Sequence, residues 1–112
     1  MTPGYKYRIK RDTGFKFLLY PNNSNHQPIG ESESYSTRKE CIDALNQFRG
    51  ILIMDNASSF FVVHKEQTQK YYPQIVLNGK LLFSRRKAYT VGKRQCDRWL
   101  SILIENADTP LK

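Results

Sequence analysis

Apolar and polar residues alternate strictly at the start of the chain. Tyr5, Tyr7 and Ile9 are separated by Lys6, Arg8 and Lys10, the period of two that predicts a half-buried strand. Asp12-Thr13-Gly14 supplies a turn, and Phe15, Phe17 and Leu19 then alternate with Lys16, Leu18 and Tyr20 as a second strand. A loop rich in Asn and Pro, Pro21 to Pro28, leads to a short third strand around Ile29. The period then lengthens. Cys41, Leu45 and Phe48, flanked by Ile42 and Ala44, form the apolar stripe of a helix. Thr37 and Glu40 make a capping box at its start, Lys39 and Asp43 pair outward, and Gly50 is expected to end it.

The same order returns further on. Phe60 to Lys65 reads as a strand, and Tyr71 to Leu77 and Leu81 to Ser84 pair across Asn78-Gly79, a two-residue hairpin signal. A second helix is expected from about Val91 to Asn106, with Trp99, Ile102 and Leu103 inward and Arg94, Arg98 and Glu105 outward. At an offset of 54 positions Tyr35 meets Tyr89, Lys39 meets Lys93, Asp43 meets Asp97, Leu45 meets Trp99 and Phe48 meets Ile102. We read this as a tandem duplication within one domain, with units of about 5–56 and 57–107 and a short C-terminal tail over 108–112. A unit of roughly 50 residues buries its sheet face poorly alone, so the two are expected to share a core.

Lys10-Arg-Asp-Thr-Gly14, Phe15-Lys-Phe-Leu-Leu19 and Glu31-Ser-Glu-Ser-Tyr35-Ser-Thr-Arg-Lys39 resemble the repeat unit of the YegP-like family. The likeness spans residues 5–107 through short, degenerate motifs. It implies an α+β fold in which two tandem β-β-β-α repeats form one antiparallel sheet with both helices packed on one face. It brings no activity with it. The second unit departs from the family pattern, with His64 to Gln69 in place of the Asp-x-Gly turn and Arg85-Arg-Lys-Ala88 ahead of its tyrosine.

Composition narrows the function. No apolar run approaches the ~18 residues of a membrane span, and the N-terminus has no hydrophobic signal core, so a cytoplasmic protein without membrane contact is expected. Cys41 and Cys96 fall on helices without metal-ligand spacing. Buried thiols are the first reading for them, an interhelical disulfide the second and a reactive thiol the third. The net charge of +8 is uneven: residues 1–56 carry 8 Lys/Arg against 6 Asp/Glu, and residues 57–112 carry 10 against 4. A basic second half invites polyanion partners.

Catalytic chemistry is sparse. His26 and His64 stand apart from other ligands, and Glu31 and Glu33 lie two apart on a predicted strand, as on a solvated edge. No nucleophile elbow, Walker loop or dinucleotide fingerprint is present. We therefore expect no enzyme, no cofactor and no metal. The expected function is that of a small binding or interaction module, monomeric or weakly dimeric, with a nucleic acid or a protein as partner. The alternative is a nucleic-acid binder contacting phosphates through Arg85, Arg86 and Lys87, which precede the second helix, and Lys93, Arg94 and Arg98 within it. The competing reading of that cluster is a solvated helix exterior. Lys6, Arg8, Lys10 and Lys16 define a second basic surface on the outer sheet face, with Tyr20 and Tyr72 as stacking planes. If that face is apolar instead, Leu18, Phe61, Val63 and Val76 would form a partner interface.

Overall fold

The computed structural model describes residues 4–23, 27–53, 57–67, 70–85, 87–90 and 93–112. Among them run strands β1 (Tyr5–Arg11), β2 (Phe15–Pro21) and β3 (Gly30–Glu31), then helix α1 (Arg38–Ile53). A 3-10 turn (Ala57–Phe60) leads into β4 (Phe61–Gln67), β5 (Lys70–Leu77) and β6 (Lys80–Ser84), and helix α2 (Lys93–Glu105) follows. The strands form one sheet in the order β1-β2-β3-β6-β5-β4, each neighbour antiparallel. Its midline is the short pairing of Glu31 with Ser84.

A row of rings crosses the sheet beneath both helices. Tyr7 meets Phe17 and Phe48 edge-on, Phe17 stacks on Phe83 at 5.7 Å, and Phe83 stacks on Phe48 of α1 at 4.7 Å and on Trp99 of α2 at 5.9 Å. Trp99 in turn covers Phe61 at 6.4 Å. Phe83 thus touches both helices from one face of the sheet, and each such ring pair adds about 0.5–1.5 kcal/mol beyond the area it buries. The backbone irregularity between Ile75 and Val76 lets the consecutive Leu82 and Phe83 both enter the core. At the hairpin between β5 and β6, Asn78 and Gly79 take φ of 52° and 79°, as the Asn-Gly signal predicts.

Three expectations require correction. Gly50 does not end α1, which continues to Ile53, because Ile51 and Leu52 beyond it are buried and their packing outweighs the glycine's cost. Phe61 and Val63 are not on the outer face. Phe61 stacks on Trp99, and Val63, two residues along β4, shares its side, so Val62 and His64 point outward. Finally, β3 ends at Glu31, which leaves Glu33 beyond the strand.

The outer face keeps Lys6 opposite Tyr20, Arg8 opposite Leu18 and Lys10 opposite Lys16. Leu18 and Tyr20 are nevertheless buried, flanked by a Lys16–Glu31 ion pair at 3.2 Å. Past α2 the chain returns to the far edge of the sheet. Tyr7 N–H donates to Pro110 O, Lys112 N–H donates to Tyr7 O, and Leu111 bridges Tyr7 in parallel. Arg49 Nη2 donates to Thr109 O at 2.7 Å, and Thr109 is fully buried. Residues 109–112 therefore lie along β1.

Candidate functional site

Beyond β6 the backbone makes an excursion and returns. Arg85 N–H donates to Pro73 O, and Tyr89 then exchanges two backbone hydrogen bonds with Tyr71, at 3.0 and 2.8 Å. The excursion folds the Arg85 guanidinium back over the Tyr89 ring, 3.7 Å from its centroid, while Arg85 Nη1 donates to Lys87 O at 2.8 Å. A planar guanidinium suits this stack, which a lysine ammonium could not reproduce. The facing wall comes from the end of β2 and the approach to β3. Ile29 is held there by its N–H to Leu19 O and by Trp99 Nε1, which donates to Ile29 O at 2.7 Å.

Between these walls lies a cleft of about 580 Å³. Pro21, Pro28 and Ile29 supply one side, Arg85, Lys87 and Tyr89 the other, and Glu31 is also in its lining. The volume falls in the range of small-ligand sites, about 300–1,000 Å³. Burial raises the Tyr89 phenol above its ordinary value, against the opposing charges of Arg85 and Arg98. The hydroxyl is therefore neutral at physiological pH, able both to donate and to accept.

Of the residues singled out from the sequence, Arg85 and Lys87 line the cleft, and Arg98 is close enough for its charge to act on Tyr89. Lys93 and Arg94 are exposed in the first turn of α2 and do not line it. Arg86, His26 and the expected helix start at Val91 lie outside the described residues. His64 is exposed on the outer face, 6.4 Å from Tyr72. Both cysteines are free and buried. Sequence reasoning used Tyr89 as an anchor of the repeat and missed it as part of a site. Its spacing of four from Arg85, across a turn, was the available signal.

The first half holds a counterpart of different character. Tyr35 exchanges two backbone hydrogen bonds with Phe15, as Tyr89 does with Tyr71, and Lys80 stands over its ring at 5.3 Å. The hollow there is lined by Glu40 and Asp43. Among the described residues no group of three His, Cys, Asp or Glu is placed to hold a metal, and no helix is long and apolar enough to cross a membrane.

No protein-family model matches the chain, and no curated protein matches it in sequence. Solved structures do. The solution structure of yegP from E. coli, a protein of unknown function, superposes with a TM-score of 0.79 at 15% identity, over 100% of this chain and 94% of that one. The chain has the YegP-like fold. A UPF0339 protein from Shewanella oneidensis superposes with a TM-score of 0.77 at 17% identity, over 97% of this chain and 90% of the other. Both likenesses to the YegP-like fold extend over nearly the whole chain.

Proposed function

We propose that the protein is a small noncatalytic binding module whose site is the cleft at the sheet midline, and that its ligand is anionic. The observation that carries this reading is the Arg85 guanidinium fixed 3.7 Å over Tyr89, with Lys87 in the same cleft wall. A cation already oriented by stacking and a hydrogen bond loses little freedom when a ligand arrives.

A second reading extends the surface to nucleic acid, with Arg85, Lys87, Lys93, Arg94 and Arg98 on phosphates and little sequence preference. It is favoured by the reach of Arg98's charge to Tyr89, which links the cleft to the exposed cations of α2. The two halves are read as tandem copies of one β-β-β-α unit. Their strand order mirrors itself about β3 and β6, and each has a tyrosine bridged to its second strand. The hollow at Tyr35 is lined by Glu40, Asp43 and Lys80 and the cleft at Tyr89 by Arg85, Lys87 and Glu31, which supports assigning anion binding to the second copy.

Labelled single- and double-stranded oligonucleotides, titrated at low and physiological salt, test the nucleic-acid reading. Micromolar binding that weakens steeply with salt and collapses in an Arg94→Glu/Arg98→Glu variant is expected. Absence of binding at low salt would overturn it.

A further inference from the structure

We propose that the cleft takes one nucleoside monophosphate, free or as the terminal unit of a single strand, with the phosphate on Arg85 and Lys87 and the base against Pro28 and Ile29. The proposal rests on the anionic-ligand reading above. Three features of the cleft carry it beyond a general attraction for anions.

The first is size. A cavity of about 580 Å³ is far larger than a lone phosphate needs and suits a phosphate with a sugar and a ring attached. The second is that its walls differ. One presents two prolines and Ile29, with the Ile29 backbone tied to Leu19 and Trp99, a stiff apolar surface that costs little entropy to cover. The other presents the Arg85 fork, its plane set by Tyr89 and one of its five N–H groups committed to Lys87 O.

The third feature is Glu31, an acidic residue lining a cleft that otherwise favours negative charge. Its carboxylate is held by Lys16 at 3.2 Å. A second anionic group beside it would be repelled, which confines the phosphate to the Arg85 side. A base bearing an exocyclic amino group, by contrast, finds an acceptor there. Adenine and cytosine carry such a donor on the edge where uracil carries only a carbonyl. The site is therefore expected to favour AMP or CMP over UMP.

Amide chemical-shift titrations of the intact protein with AMP, UMP, adenosine and inorganic phosphate test this. AMP is expected to move the amides of residues 29–31, 85 and 87–89, and to bind roughly tenfold or more tightly than phosphate or adenosine alone. Arg85→Gln and Lys87→Gln should each weaken AMP while the remaining spectrum stays folded. A 5′-phosphorylated oligonucleotide that outcompetes its unphosphorylated counterpart at these same amides would support the strand-end form, and AMP binding without that gain would support the free nucleotide. Equal affinity for AMP and phosphate would overturn the ring-wall assignment. If AMP leaves these amides unmoved while oligonucleotides still bind in a salt-dependent way, this proposal fails and the basic-surface reading survives. If inorganic phosphate, AMP and oligonucleotides all fail to bind at low salt, both fall together.

Discussion

Gly30 lies directly against Phe83: a Cβ built on Gly30 would clash with the edge of the Phe83 ring, 2.8 Å from Cζ and nearer still to Cε2. The ring cannot withdraw, because it is fully buried between Phe17, Phe48 and Trp99. Gly30→Ala is expected to cost about 1–3 kcal/mol, as overpacking in a filled core does. Urea unfolding measures it. Combined with Phe83→Leu, the loss should be smaller than the sum of the two single changes, since the pair is in contact.

Gly50→Ala should act in the opposite direction. Gly50 is exposed inside α1, and nothing lies within 4 Å of an added Cβ. Alanine there should stabilise the protein by about 0.5–1 kcal/mol through helix propensity alone. A fall in the urea midpoint would show that Gly50 serves a role other than continuing the helix.

Arg49 lies over the Tyr7 ring at 4.9 Å while donating to Thr109 O. Arg49→Met keeps much of the packing and removes the hydrogen bond, with an expected cost of about 1–3 kcal/mol for the stranded, buried carbonyl. Hydrogen exchange gives a local reading of the same contact. The Tyr7 amide, whose acceptor is Pro110 O, should exchange faster in the variant than the amides of β5.

Stability should fall on the alkaline side. Burial raises the Cys41 and Cys96 thiols above their ordinary 9.0, and the Tyr35 and Tyr89 phenols above 10.0. Burial pushes the Tyr7 phenol up further, against the nearby Arg49 charge. In each case the unfolded chain loses its proton at a lower pH than the folded one. The stabilisation is complete below the unfolded values and is lost as pH climbs through the folded ones. Denaturant midpoints should therefore be level from neutral pH to about 9 and decline above it. A Cys41→Ala/Cys96→Ala variant should delay the onset toward 10, where the tyrosines take over.

What could be read from the chain beforehand follows from the range of the forces involved. Tyr7 and the Cys41, Leu45, Phe48 stripe announced themselves through local periodicity, and both are buried where the pattern placed them. The Phe60-Phe61-Val62-Val63 run has no polar alternation, so its inward side was decided elsewhere, by Trp99. The double entry of Leu82 and Phe83 depends on an irregularity that no residue type marks. At the cleft, the charges of Arg85 and Lys87 were visible as a basic cluster. Their meeting with Tyr89 and with the Pro28–Ile29 wall depends on a turn and on a neighbouring strand contributed by the other half of the chain.

The seal of β1 by residues 109–112 bears on how the protein is made. Tyr7 is synthesised before its partners Pro110 and Lys112, which follow it about a hundred residues later. Until then the outer edge of β1 has only half its hydrogen bonds and is exposed to any extended segment nearby, including that of another nascent chain. The domain is therefore synthesised with an open sheet edge until residues 109–112 follow α2, and closure of that edge is a late step in its folding.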